Sequence, residues 1–458
     1  MTVYEKRLGR RGLLAVTAAG AATALAAPRA GAATAARAGA TAGGTGGTGQ
    51  AAVVRAIERA AHPLRSTEPG TRTADLRALG AMIGDAEVVG LGEATHGSHE
   101  FFAMKERVFR HLVEHEGFTT FALEMSWSAG LRIDEYLQGG EGDARRIAEE
   151  TLAGSPWERA EFVSLIAWMR EHNRRHPRRR VHFMGDDIGA PRLGDALFER
   201  VLSHVREADP GSLARLTALY AQLRPLDDVF EYLNRPLALR RQNAVRAQQA
   251  LDVVTAGRGV GGTGHAWAVQ HARNIAQTFA FTALDVTDPA SVAEAEHLRD
   301  RAMADNITWW HHETGHKVLL SAHNGHVGLL STDPVMYPKT QGSYLRDALG
   351  RNYAIIGFTF AGGSFLTKDA ALGGDWHETT VPPASPDMHE YTLDRVRHRD
   401  FYVDLRDVPA PAGAWLDTAR PVYDAGSTYT PDPLPTLALG RAYDVLVHLH
   451  RVHGAQKL

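Results

Sequence analysis

VVGLGEATHGSHEFFAMKERVFRHLVEHEGFTTFALE, residues 88–124, carries the pattern of a strand, a loop, a helix and a second strand. Ala86–Leu91 and Thr119–Leu123 are short apolar runs, and each predicts a buried strand. Between them, large apolar side chains recur at helical spacing from Phe101 to Leu112, and Gly117 then predicts the end of the helix. This alternation is typical of a mainly parallel sheet flanked by helices.

The alternation continues along the chain and defines the fold class. Further strands are predicted at Val181–Met184, Lys317–Ala322, Tyr353–Phe360 and Phe401–Leu405. Residues 194–313 carry helical patterns only, and a final helix is predicted at about 438–453. The sequence therefore predicts an α/β fold with a mainly parallel sheet and a large all-helical insertion, which forms one wall of a cleft.

Composition excludes several classes of function. The chain has 458 residues, and 44% of them are hydrophobic, as in globular proteins with a large core. Its 50 Lys and Arg face 53 Asp and Glu, and a net charge of −3 gives no reason to expect a nucleic-acid partner. Because the chain has no cysteine, disulfides, thiolate metal sites and cysteine nucleophiles are excluded.

The N-terminus has the layout of an export signal. Basic residues precede an apolar run at Leu13–Ala27, so residues 1–32 are predicted to be a signal peptide. The pair Arg10-Arg11 favours the twin-arginine route, with an ordinary Sec signal or an uncleaved anchor as alternatives. The Ala/Gly/Thr-rich residues 33–50 predict a flexible linker, and residues 51–458 the folded domain. We expect an exported protein without a membrane span in the mature chain.

Polar side chains follow four of the predicted strands at the point where each strand ends. They are Glu93 and His96, then Glu124, then Asp186 and Asp187, and finally His323 and His326. If the strands are parallel, these groups converge on one cleft at the carboxyl edge of the sheet. An imidazole can take a proton from water near neutral pH, a carboxylate can orient it, and a second cation can stabilise an oxyanion. The set is suited to hydrolysis.

Four other patterns carry less weight. His312–His316 matches the zinc motif H-E-x-x-H, but Gly315 should end the helix, so the two imidazoles would not share a face. Gly259–Gly264 matches G-x-G-x-x-G, but it follows a helical pattern rather than a strand, which favours a mobile loop over a dinucleotide site. The basic run Arg174–Arg180 lies at the end of a predicted helix, where Arg offsets the helix dipole. The absence of G-x-S-x-G argues against a serine esterase of the α/β-hydrolase type.

Taken together, these motifs resemble those of the erythromycin esterase family. The resemblance rests on residues 88–124 and on three later motifs, Gly185-Asp186-Asp187, Arg299-Asp300 with Met303 and Asn306, and Ala322–His326. It spans roughly residues 55–450. It implies an α/β core with a helical insertion and hydrolysis of a macrolide lactone without a metal or other cofactor.

The resemblance also implies roles for individual residues. His96 would be the general base that activates water, and Glu93 and Glu124 would orient it or balance its charge. His323 and His326 would lie across the cleft, where they hold the substrate and stabilise the oxyanion.

Three further residues, Lys105, Asp187 and Arg299, are predicted to bind the substrate. Lys105 stands where some family members have Arg, which keeps the charge but loses the planar fork. Arg299, Met303 and Asn306 share one helix face, and a structural salt bridge is the alternative for Arg299.

The resulting hypothesis is a secreted hydrolase that cleaves a carboxylic ester or macrolide lactone with water activated by His96. Its partner is a small-molecule ester or lactone, and the oligomeric state is left open. One alternative is a metal-dependent hydrolase on the same scaffold, with His96, His323, His326 and a Glu as ligands. The other is a non-catalytic extracytoplasmic protein that binds haem or a metal ion through these histidines.

Overall fold

The computed structural model describes residues 46–257, 262–369 and 375–458. The predicted signal peptide and most of the predicted linker lie outside these ranges. The first helix begins at Gly46, before the predicted start of the domain at Ala51. Within the described ranges, no helix combines the length and apolar character needed to cross a membrane.

The strands, in chain order, are β1 (His62–Pro63), β2 (Val88–Leu91), β3 (Phe118–Ser126), β4 (His182–Asp187), β5 (Lys317–Ser321), β6 (Tyr353–Phe360), β7 (Gly363–Thr367), β8 (His377–Val381), β9 (Phe401–Asp404), β10 (Arg420–Pro421), β11 (Thr436–Leu437) and β12 (Val445–Leu449).

The helices are α1 (Gly46–Ala60), α2 (Arg77–Ile83), α3 (His99–His115), α4 (Trp127–Leu137), α5 (Ala144–Leu152), α6 (Ala160–Arg175), α7 (Asp195–Ala208), α8 (Pro210–Tyr220), α9 (Val229–Tyr232), α10 (Leu237–Ala256), α11 (Thr263–Thr282), α12 (Pro289–Thr314), α13 (Asn324–Val327), α14 (Gln341–Leu349), α15 (His389–Leu393), α16 (Ala412–Leu416) and α17 (Leu439–Ala442). Short 3-10 turns cover Ala74–Leu76 and Gly350–Asn352.

An eight-stranded sheet organises the fold, in the order β1-β9-β12-β6-β2-β5-β3-β4. Every pair from β12 to β4 is parallel, and β9 and β1 add an antiparallel edge. All residues of β2 and β6 are buried, as expected for parallel strands covered by helices on both faces. The predicted α/β fold class is confirmed. Because β2, β5, β3 and β4 are neighbours, their four carboxyl ends lie side by side.

The prediction of a helix at about 438–453 is wrong. Only Leu439–Ala442 is helical, and Val445–Leu449 forms β12, which pairs in parallel with β6 and antiparallel with β9. All residues of β12 are buried. A strand that is covered on both faces reads as a continuous apolar run, and periodicity alone cannot distinguish such a run from a buried helix.

The helical insertion is present between β4 and β5, where α7 to α12 follow one another with no strand among the described residues. Its last helix, α12, has 26 residues and a length of about 39 Å. The middle of α12 reaches the carboxyl edge of the sheet, and its end leads into β5. The insertion therefore supplies one side of the site described below.

Two of the weaker motifs can be checked against the fold. The helix α12 ends at Thr314, and Gly315 adopts a left-handed φ of 69°. His316 therefore lies off the helix and contacts Thr120 instead of sharing a face with His312, as predicted. Residues 259–261 of the glycine-rich pattern lie outside the described residues, and the segment before them is helical, as predicted.

Candidate active site

The loop between β2 and α3 holds a histidine between a carboxylate and the sheet edge. The Nδ1 atom of His96 lies 2.5 Å from Oε1 of Glu93, and the exposed fractions of the two residues are 4% and 0%. The other oxygen of Glu93 pairs with Nζ of Lys105, which also donates to the Ala322 carbonyl at 3.4 Å. Burial alone would raise the pKa of Glu93, but Lys105 and His96 bring it below its usual value. Glu93 therefore stays ionised, and His96 keeps Nε2 as the ring nitrogen that can accept a proton.

Segments from later in the chain form hydrogen bonds with this loop on two sides. The carbonyl of Gly97 accepts the amide N–H groups of Leu366, at 3.0 Å, and Ala455, at 2.9 Å. The amide of His99 donates to the His453 carbonyl at 2.8 Å. A Cβ atom at Gly97 would lie 1.9 Å from the Leu366 carbonyl oxygen, so only glycine fits there. The position of His96 depends on this close approach.

Glu124, at the end of β3, connects three of the predicted site residues. Its Oε2 atom accepts the backbone N–H of His323 at 2.9 Å. Its Oε1 atom lies 3.0 Å from Nη2 of Arg299 and 3.3 Å from Nε2 of His326. Burial opposes ionisation, but His326 and the other cations hold the pKa of Glu124 well below its usual range.

His326 lies between two carboxylates. Its Nδ1 atom is 2.6 Å from Oδ1 of Asp300, opposite the contact of Nε2 with Glu124. The second oxygen of Asp300 accepts the backbone N–H of Gln341 at 2.9 Å. Although burial opposes protonation, the two carboxylates raise the pKa of His326 well above its usual value. His326 is therefore a fixed cation and is poorly suited to act as a base.

The three residues predicted to bind substrate are paired with other side chains of the protein. Nε and Nη2 of Arg299 lie 2.9 Å and 2.6 Å from Oδ2 of Asp187, and Arg299 also contacts Glu124 as described. The side chain of Arg299 is 11% exposed and that of Lys105 is fully buried. The charged atoms of Lys105, Asp187 and Arg299 therefore all have partners within the protein, and their contact with a substrate stays a prediction.

The structure adds an acidic residue that sequence reasoning missed. Oδ1 of Asp424 lies 3.1 Å from Nε2 of His323, and the rings of His323 and His96 are 5.0 Å apart. Burial lowers the pKa of His323, but Asp424 more than offsets this and raises it above its usual value. Asp424 follows no predicted strand. The pairing of Ala425 with Thr95 brings it to the site, and this contact left no signal in the sequence.

The predicted catalytic residues Glu93, His96, Glu124, His323 and His326 thus meet at one edge of the sheet, together with Asp300 and Asp424. In the part of the chain that the structure describes, no three His, Asp or Glu side chains are grouped so that they could hold one metal ion.

Comparison with known proteins identifies the family. The model of the family described as erythromycin esterase matches residues 113–452. The chain belongs to the erythromycin esterase family. It is accordingly an enzyme, a carboxylic ester hydrolase resembling erythromycin esterase.

Individual proteins are similar to this chain over most of its length. The chain is 24% identical to the erythromycin esterase type II of Escherichia coli over 335 residues, which is 68% of this chain and 76% of the relative. A solved structure described as a succinoglycan biosynthesis protein is 28% identical, with a TM-score of 0.80 over 90% of this chain and 100% of the other. A Bacillus cereus protein of solved structure is 27% identical, with a TM-score of 0.81 over 89% and 99% of the two chains. A mutant of the erythromycin esterase EreC in its open conformation shares the fold, at 17% identity and a TM-score of 0.64 over 86% and 97% of the two chains.

Proposed function

We propose that the protein hydrolyses a macrolide lactone or a related carboxylic ester with water activated by His96. The observation that carries the proposal is the bond between Nδ1 of His96 and Glu93, which leaves Nε2 to accept a proton. Membership of the erythromycin esterase family supports the choice of substrate and favours an enzyme over a non-catalytic binder of haem or metal.

The proposed reaction proceeds without a covalent enzyme intermediate. The water oxygen bonds to the ester carbonyl carbon while one water proton moves to Nε2 of His96. The negative charge that develops on the carbonyl oxygen is stabilised by the positive charge of His326, which acts at a distance because Asp300 and Glu124 occupy both of its ring nitrogens. When the intermediate collapses, the carbon–oxygen bond to the alcohol breaks, and the proton on His96 passes to the leaving oxygen.

The test is mass spectrometry of a macrolide incubated with the purified protein, with and without EDTA. We expect a product heavier by one water in both samples. The variant His96→Ala should lower kcat by about 10³-fold, because it removes the base. His115→Gln is the matched control, since the His115 side chain is 54% exposed and lies at the far end of α3 from the loop.

Two results would contradict the proposal. Full activity of His96→Ala would exclude His96 as the base. Loss of activity in EDTA, with recovery on addition of Zn²⁺ or Mn²⁺, would favour the metal-dependent alternative instead.

We also propose that the protein is exported by the twin-arginine route, on the strength of Arg10-Arg11 and the apolar run that follows. Residues 1–45 fused to a reporter that is active only outside the cytoplasm should direct its export. Replacement of both arginines by lysine should abolish this, and continued export of that variant would indicate a Sec signal.

A further inference from the structure

His323 and Asp424 each have one polar atom fixed by the fold and one that faces the other residue. The Nδ1 atom of His323 accepts the Gly325 amide at 3.2 Å, and Oδ2 of Asp424 accepts the Thr332 hydroxyl at 2.6 Å. The remaining atoms, Nε2 of His323 and Oδ1 of Asp424, are buried and 3.1 Å apart. These two atoms form an ion pair with each other, and within the described residues neither has another hydrogen-bond partner.

Two buried polar atoms that have only each other as partners still have unused capacity for hydrogen bonds, and this needs a physical explanation. Nε2 of His323 carries a proton in the cation and also in the neutral form whose Nδ1 accepts the Gly325 amide, so it is a donor in either state. His323 and Thr332 keep the pKa of Asp424 below its usual value although burial opposes this, so Oδ1 is an ionised acceptor. A donor and an acceptor side by side match a group that both accepts and donates, which is a hydroxyl or a water.

The base lies next to this pair. The rings of His96 and His323 are 5.0 Å apart, and the backbone around Asp424 is bonded to the loop that carries His96. The Ala425 carbonyl accepts the His96 amide at 3.2 Å, and the Ala425 amide donates to the Ala94 carbonyl at 2.8 Å. The same segment therefore fixes His96 and Asp424 relative to each other.

We propose that Asp424 is a catalytic residue that, together with His323, binds the oxygen of the attacking water. This inference rests on the proposed function. The water gives one proton to Nε2 of His96 and donates the other as a hydrogen bond to Oδ1 of Asp424. It accepts a hydrogen bond from Nε2 of His323, and its remaining lone pair forms the bond to the carbonyl carbon. The proton held by Asp424 stays on the oxygen and leaves with the acid product.

The decisive variant is Asp424→Asn. Thr332 donates to Oδ2, so the amide oxygen of the asparagine should take that position and its NH₂ group should face His323. The acceptor for the water is then replaced by a donor, with little change in volume. We expect kcat to fall about 10²-fold and KM to change by less than about twofold, on a macrolide and equally on a simple aryl ester that lacks hydroxyl groups.

Asp432→Asn is the matched control, because Asp432 is an exposed residue of the same segment. The inference is overturned if Asp424→Asn and Asp432→Asn have the same kcat. It is also overturned if the loss is a rise in KM confined to the hydroxyl-bearing macrolide, because the pair would then bind a substrate hydroxyl rather than water.

Two further measurements keep the outcome decisive. If Asp424→Asn unfolds at a lower temperature than the wild type, Asp424→Glu is compared with it. The retained carboxylate should restore part of the lost kcat, and equal losses would overturn the inference. If the wild type hydrolyses no ester, the proposed function fails separately. Nitrogen-15 NMR of the histidines then tests the pair, and identical titration of His323 in the wild type and Asp424→Asn would contradict it.

Discussion

Histidines stand at both ends of β5, and the two ends hold them in opposite charge states. At the carboxyl end, His326 lies between Asp300 and Glu124, which raise its pKa well above the usual value against the effect of burial. At the amino end, burial and the neighbouring His182 lower the pKa of His316 to about 4. The ring of His316 stacks on that of His182 at 4.7 Å, and its Nδ1 atom contacts the Thr120 hydroxyl at 3.0 Å.

Burial alone therefore does not decide whether a histidine is charged. Desolvation disfavours the imidazolium at both ends, and the carboxylates beside the two ring nitrogens of His326 reverse the outcome there. The ends of β2, β3 and β4 and the helix α12 supply carboxylates at the carboxyl edge. The amino edge offers His316 a hydroxyl and a second imidazole, which stabilise the neutral ring.

The largest effect on stability is expected when Arg299, at the carboxyl edge of the sheet, is replaced. Arg299→Met leaves the carboxylates of Asp187 and Glu124 buried without their shared partner, and this should lower the free energy of unfolding by about 3–5 kcal/mol. Urea denaturation at neutral pH measures it. The control is Arg301→Met, whose ion pair with Asp305 is exposed, with an expected change below about 1 kcal/mol. Equal effects of the two variants would refute the idea that the edge is held by buried ion pairs.

A milder change should make His326 resemble His316. Asp300→Asn keeps an oxygen for the Gln341 amide but removes the charge beside Nδ1 of His326, so the pKa of His326 should fall. We expect a loss of about 1–3 kcal/mol of stability, measured by urea denaturation, and earlier deprotonation of His326 in an NMR titration. The exposed Asp305→Asn is the control. An unchanged titration of His326 would mean that Glu124 alone fixes its charge.

The neutral His316 at the amino end of β5 should make the stability of the protein sensitive to acid. The pKa of His316 is lower in the folded state, about 4, than the unperturbed 6.5. Its contribution to stability is therefore complete above about pH 6.5 and is lost as the pH falls toward 4. The Tm of His316→Gln should fall less than that of the wild type between pH 7 and pH 5. The exposed His312→Gln should follow the wild type, and a parallel fall of all three would contradict the argument.

The smallest effect is expected at a partly exposed histidine that has two carboxylate partners. His99 lies 2.7 Å from Glu161 and 3.1 Å from Glu68, and these contacts raise its pKa to about 9. With a raised folded pKa, the contribution of His99 is complete below about pH 6.5 and is lost as the pH rises through 9. The difference in Tm between the wild type and His99→Gln should therefore shrink between pH 6.5 and pH 9.5. His115→Gln serves as the reference, and a constant difference would mean that His99 is not charged.

The sequence predicted the parts of the site that follow strands. Glu93, His96, Glu124, His323 and His326 could be assigned to one edge because parallel strands end on the same side of a sheet. This rule says nothing about a loop that arrives from a distant part of the chain, and so Asp424 was missed.

The sequence also could not show which charged residues pair with one another inside the protein. Lys105 and Arg299 carry charges that suit a substrate, and only the structure reveals that Glu93, Asp187 and Glu124 already occupy them. The sequence predicts a helix in place of β12 because burial on both faces removes the alternation of apolar and polar residues that identifies most strands.

The hydrogen bonds that join the loop of His96 to later segments of the chain have a consequence for how the molecule folds. The bond between the His453 amide and the Glu100 carboxylate, at 2.7 Å, joins residues 353 positions apart, next to the bonds that hold Gly97 and His99. Contacts between segments so distant along the chain carry a high cost in loop closure and slow folding. A chain synthesised as far as α13 contains β2 to β5 and every predicted catalytic residue, and it still lacks the bonds that fix the loop. Activity should therefore appear late in folding, after most of the secondary structure has formed.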